Sequence, residues 1–105
     1  MWNVPSKKRL KQIPKLNETE KIKDKLIYMH FFLGSCDWWV AEFDGKDLFF
    51  GFAILNGDDL NSEWGYISFS ELKALKVDGW CEVTCETENE WTIKKASKIE
   101  NIKCY

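Results

Sequence analysis

Three carboxylates have types and spacing that could do chemistry: Glu42, Asp44 and Glu63, with Glu71 close behind. Glu42 and Asp44 are two residues apart, so an extended chain puts them on one side. Glu63 opens a nearby strand-like segment. Carboxylates converging in this way could hold Mg²⁺ or Mn²⁺ for phosphodiester cleavage. The set lacks companions, however. No Lys stands two residues after Glu42, and no His or Ser is placed as base or nucleophile. Asp44 also suits a turn with Gly45, and Glu71 suits the reciprocal position of a capping box that starts at Ser68.

The aromatic residues form a second constellation. Trp38, Trp39, Trp64, Tyr66 and Trp80 could stack nucleobases. Arg9 is the only Arg, and the segment carrying the Trp residues is acidic, which disfavours phosphate binding there. Each ring can instead bury roughly 150–250 Å² in a core. Adjacent strand residues face opposite ways. One of Trp38 and Trp39 must therefore be covered by a terminal segment or offered to a partner.

The sulfur and imidazole groups say less. Cys81 and Cys85 are four residues apart on a strand-like segment. At ~3.3 Å per residue they lie ~13 Å apart, too far for a disulfide or a shared zinc. Pairing of Cys36 with Cys81, or of Cys85 with Cys104, stays open, although a cytosolic chain favours free thiols. No base adjoins any of the four. His30 is the only His and has no ligand-spaced neighbour, so it reads as a strand residue.

These groups must be positioned by short elements. Residues 5–12 fit a helix that Pro14 prevents from continuing. Residues 25–33 are too aromatic for a clear helix and predict a strand, ended by Gly34-Ser35. From Trp38 to Phe43, the set Trp38, Val40, Glu42 alternates with the set Trp39, Ala41, Phe43. Asp44-Gly45 is a turn dipeptide. Residues 48–55 are apolar on both parities, which suits a strand covered on both sides. Phe50, Phe52 and Ile54 are its expected core members. Residues 63–69 predict another strand, and Ser68 with Glu71 opens a short helix to about Lys76. Val77-Asp78-Gly79 reads as a turn. Cys81, Val83 and Cys85 should then face a core, with Glu82, Glu86 and Glu88 on the wet parity. Residues 91–93 predict a last strand, with a helical turn near Ser97.

The chain has 105 residues, 45% hydrophobic and 30% charged, which predicts one domain, 1–105, with an adequate core of its own. Charge is unevenly placed. Residues 1–25 carry a net +5, residues 26–93 a net −10, and residues 94–105 a net +3. Either the basic ends fold over the acidic middle, or an acidic face built on Glu82, Glu86 and Glu88 meets a basic partner surface. No apolar run reaches the ~20 residues needed to span a bilayer. The first residues show no secretory pattern, so a cytoplasmic setting with no membrane partner is expected.

Several motifs resemble the DUF2958 family, small bacterial proteins of unassigned activity often carried by plasmids and phage-related elements. They are Ile13-Pro14-Lys15-Leu16 with Thr19-Glu20, Phe31-Phe32, Trp38-Trp39 with Glu42-Phe43-Asp44, Phe49-Phe50-Gly51-Phe52, and Glu63-Trp64-Gly65-Tyr66 with Ser68 and Glu71-Leu72. They span residues 13–72 in order. The basic-acidic pair that the family usually carries in its last strands has no Arg here. The resemblance implies a mobile-element setting in a bacterial or phage cytoplasm and supplies no reaction.

The expected architecture is α+β: a mostly antiparallel, strongly curved sheet of five or six strands, with short helices at the N-terminus and near residues 69–76. The expected function is non-enzymatic and cofactor-free. It is binding of another protein with a basic surface, such as a host defence nuclease, whose nucleic-acid groove the acidic face would occupy. Trp38 and Trp39 are further candidates for that contact. The alternative is nucleic-acid binding or metal-dependent processing through Glu42, Asp44 and Glu63.

Overall fold

The strand over Cys36–Phe43 is the spine of the molecule, because both of its faces are buried. The computed structural model describes residues 5–58, 60, 62–77 and 81–102. In chain order they form α1 (Lys7–Lys11), β1 (Leu26–Ile27), β2 (Met29–Leu33), β3 (Cys36–Phe43), β4 (Leu48–Ile54) and β5 (Glu63–Ser68). Then follow α2 (Phe69–Ala74), β6 (Lys76–Val77), β7 (Cys81–Glu82), β8 (Thr84–Cys85), β9 (Lys94–Lys95) and a 3-10 turn at Ala96–Lys98. The main sheet is antiparallel, in the order β5-β4-β3-β2-β8. Small two-stranded ladders join β1 to β9 and β6 to β7. The architecture is α+β with five strands in its main sheet and two short helices. Among the described residues no helix is long and apolar enough to cross a membrane.

The register explains why two cores exist. On one face, Phe31, Trp38, Ala53 and Glu63 form a row across the sheet, and Met29, Val40, Gly51 and Gly65 form the next. This face packs with Phe49, Phe69, Leu72, Val83 and Cys85. On the other face, His30, Trp39, Phe52 and Trp64 align. Trp39 and Phe52 pack there with Ile27, Ile54, Ala96, Ile99 and Ile102. The C-terminal segment therefore covers the Trp39 face, and α2 covers part of the Trp38 face. Both Trp38 and Trp39 are buried, so neither ring of the pair is fully outward.

A β-bulge between Val40 and Glu42 alters the expected alternation. One extra residue on β3 shifts every later side chain to the opposite face. Glu42 pairs with Phe50 and so joins the Trp39 face, while Phe43 pairs with Phe49 and joins the Trp38 core. Close backbone contact accompanies the shift: a Cβ on Gly51 would lie 2.0 Å from the Trp39 carbonyl oxygen. Only glycine fits there.

Other expectations need correction. The strand expected over 25–33 breaks at Tyr28, whose amide bonds to the Val40 carbonyl, so β1 and β2 belong to different sheets. The strand expected from Cys81 onward likewise divides after Glu82, with β7 in one ladder and β8 in the main sheet. Residues 91–93 form no strand. Phe52 and Ile54 are buried as expected, but Phe50 is half-buried, stacked on Trp64 beside Tyr66. Of the expected turn at Val77-Asp78-Gly79, Asp78 and Gly79 lie outside the described residues.

Candidate functional site

Two of the sequence-predicted carboxylates, Glu42 and Asp44, turn out to hold the fold. Glu42 is 4% exposed. It accepts the amides of Asn17 and Thr19, both at 2.9 Å, and the Thr19 hydroxyl. Burial pushes its carboxyl up, but the hydrogen bonds from the Thr19 side chain and the two amides outweigh that and hold it below its usual range. Lys25 donates to the Thr19 and Ile22 carbonyls of the same loop. The bulge thus presents an anchor for residues 17–25. Asp44 accepts the amides of Lys46, Asp47 and Leu48 at 2.7, 2.9 and 3.0 Å. Those backbone bonds, led by Leu48, lower its carboxyl and fix the turn in which Gly45 has φ +86°.

Glu63 does not meet these two. It sits beside Ala53 on the Trp38 face, whereas Glu42 belongs to the Trp39 face and pairs two strands away in the Phe50–Tyr66 row. The sheet itself separates them, so the metal set expected from Glu42, Asp44 and Glu63 is not assembled. Among the described residues no group of three His, Cys, Asp or Glu side chains is placed to hold a metal ion.

The acidic parity near 82–88 also changes meaning. Val83 and Cys85 are fully buried, as expected; the Cys81 side chain lies outside the described set. Glu82 is half-buried and Glu88 exposed. Glu86 is not a free surface charge. Its carboxylate meets His30 Nδ1, while His30 Nε2 lies 2.8 Å from Asp37 Oδ1. Each imidazole nitrogen thus has a carboxylate within hydrogen-bond distance. The ring is also stacked on Trp39, centroids 5.0 Å apart, and flanked by Trp91 and Phe32. With both nitrogens engaged, His30 has none left to act on a substrate.

The basic ends approach this face. Arg9 donates to the Glu86 carbonyl at 2.9 Å, and Lys94 and Lys98 border the His30 cluster. Lys94 lies over the Trp91 ring at 4.7 Å. Of the three acids expected on this strand end, Glu86 is engaged by His30, while Glu88 stays exposed. Cys36 and Cys85 are free thiols, so neither open disulfide pairing forms. Burial pushes the Cys85 thiol up to about 11, with Arg9 only partly opposing it, so it is a core group and not a nucleophile.

The Trp38 face holds a different arrangement. Between α2 and the sheet runs a groove of about 400 Å³, lined by Trp38, Ala53, Leu55, Glu63, Gly65, Leu72 and Leu75 among others. It continues towards the β2–β3 turn, past Leu33 and Cys36, again lined by Trp38, Leu55 and Leu75. Leu55 and Leu75 are 53% and 40% exposed. Among the described residues its charged lining residues are Glu63 and Glu71, with no Lys or Arg. Neither carboxylate has a hydrogen-bond or ion-pair partner among the described residues. Glu71 is left over because Asp47 supplies the second half of the helix cap. Asp47 accepts the Ser68 and Ser70 hydroxyls and the Ser70 amide at 2.8–2.9 Å, and its carbonyl accepts the Phe69 amide.

Sequence reasoning missed three of these residues. Asp47 reaches its cap from 21–23 positions away, with no local signal. His30 meets Glu86 across 56 positions. Its contact with Asp37 was within reach of the hairpin register, since Phe32 pairs with Asp37 and His30 with Trp39. Gly65 lies in the groove floor, and an isolated strand glycine was its only mark. No family model, curated protein or solved structure matches the chain.

Proposed function

We propose that this protein works by binding another protein, without catalysis, and that the contact is the Trp38 groove. One observation carries this reading: among the described residues, Glu63 and Glu71 are unengaged carboxylates on the rim of an apolar groove with no cation in its lining. Desolvating such carboxylates is costly unless a cation meets them, which selects a partner with a basic surface. The groove therefore replaces the strand end at Glu82, Glu86 and Glu88 as the acidic docking face. The DUF2958-like motifs suggest the setting, a plasmid- or phage-borne accessory protein. A host nuclease with a basic nucleic-acid channel has the matching chemistry. Nucleic acid fits the groove poorly, because two carboxylates would face its phosphates.

The test is capture from a phage-infected or plasmid-bearing lysate, followed by kinetics with the recovered protein. Glu63→Lys with Glu71→Lys should keep the fold and lose the partner, with the wild-type association slowing as salt rises. A partner retained by the doubly reversed protein at an unchanged rate would overturn the reading.

A further inference from the structure

Gly65 is a strand glycine without an internal reason. Its φ is not in the left-handed region, so no turn demands it. Among the described residues, a Cβ built on it meets nothing within 4 Å. The contrast with its cross-strand partner Gly51 is direct, since Gly51 is dictated by the Trp39 carbonyl. Glycine weakens the interior of a strand, and where neither φ nor packing requires it, it marks a place where something approaches the backbone closely. Next to Gly65 on the same face is the small Ala53–Glu63 pair, and beyond Ala53 stands Trp38. The floor of the groove is therefore bare backbone and methyl. Its walls are Trp38 on one side and Leu72 and Leu75 of the α2 region on the other.

Resting on the protein-binding reading above, we propose that this recess over Gly65 takes one large apolar side chain from an extended segment of the partner. Lys or Arg side chains flanking that residue meet Glu63 and Glu71. In an extended segment, alternate side chains share a face, so a cation–apolar–cation pattern at every second residue matches an apolar floor between acidic rims. A volume of about 400 Å³ lies within the range of sites that enclose small ligands, roughly 300–1,000 Å³.

The probe is the acetylated, amidated peptide Lys-Thr-Phe-Thr-Lys, titrated into the labelled full chain and followed by amide and indole resonances. Gly65, Ala53 and the Trp38 indole should shift. Lys-Thr-Ser-Thr-Lys and Glu-Thr-Phe-Thr-Glu should bind at least tenfold more weakly. Gly65→Val should fill the recess, hold or raise the melting temperature, and weaken the peptide at least tenfold. Gly65→Ala, the gentler change, should weaken it severalfold in a fold that melts no lower. Unchanged peptide affinity in either folded variant would overturn the proposal. So would equal binding of the three peptides, displacement of the same resonances by oligothymidylate instead, or self-association that covers Gly65. If partner capture is lost in the Glu63→Lys, Glu71→Lys protein but survives Gly65→Val, protein binding stands and the recess does not.

Discussion

The two faces of the main sheet use their acids in opposite ways. On the Trp39 face, Glu42, Asp37 and Glu86 each accept hydrogen bonds from within the chain. On the Trp38 face, Glu63 and Glu71 rim a groove and engage nothing among the described residues. All five are carboxylates of one acidic stretch of sequence. What separates them is whether a donor arrives from elsewhere: the 17–25 loop for Glu42, His30 for Asp37 and Glu86, none for the groove pair. A carboxylate that meets several donors is a structural fastener. One left on an apolar rim is available to a partner.

The largest expected effect tests the packing beneath both faces. Phe52 is fully buried between Trp39 and Trp64. Phe52→Ala should cost about 3–5 kcal/mol in a denaturant melt, against less than about 1 kcal/mol for Leu75→Ala in the exposed groove wall. Equal losses would erase the distinction between a closed face and an open one.

Next comes the fastener itself. Glu42→Ala strands the Asn17 and Thr19 amides and should destabilise by about 2–4 kcal/mol. The pH dependence has a definite sign. A carboxyl lowered in the folded state binds its proton less readily there than in the unfolded chain. Its contribution is thus complete above the unfolded value, 4.5 for Glu42, and is lost as pH falls below that through the lowered folded value. Asp24, lowered chiefly by the Ser97 hydroxyl, and Asp47, lowered chiefly by Ser70, add to the same slope below 3.8. Stability should therefore fall steeply on acidification from about pH 4.5. Glu42→Gln should flatten the upper part of that fall, as read from melting temperature against pH. A slope identical to wild type would show Glu42 to be unengaged in solution.

A smaller effect separates neighbours on one strand end. Glu86→Lys places a cation against His30 and should cost about 1–2 kcal/mol, whereas Glu88→Lys at an exposed position should stay within about 0.5 kcal/mol. The pair also tests the displaced docking face. If Glu88→Lys alone abolished partner capture, the acidic strand end would be restored as the contact.

Much of the fold was legible because its signals are local. The turns at Gly34 and Gly45, the helix opened by Ser68, and the two-sided apolar run over 48–55 all appear where turn chemistry and periodicity placed them. The bulge after Val40 was not legible. Period-2 alternation carries no mark for one inserted residue, and that residue moved Glu42 from the expected face to the other. The site suffered for the same reason. Glu42 and Asp44 look like a ligand pair only if the strand runs straight, and Glu63 joins them only if the sheet does not stand between. His30 looked inert because its partners lie 7 and 56 positions away. Spacing within one element can be read from sequence; the meeting of three elements requires the register.

The smallest stability effect is the sharpest test of the comparison. Glu63→Gln and Glu71→Gln remove charge from exposed positions whose carboxylates hold no bond among the described residues, so each should change stability by no more than about 0.5 kcal/mol. Together they should still weaken a basic partner, and the weakening should shrink as salt rises, because screening removes from the wild type the attraction that the variant already lacks. Glu42→Gln should show the reverse pairing, with a clear loss of stability and unchanged affinity wherever the protein remains folded. A single set of melts and titrations across the three variants thus contains both halves of the contrast. If Glu63→Gln or Glu71→Gln destabilised the fold as much as Glu42→Gln, the groove acids would be fasteners too. The two faces would then differ in shape alone.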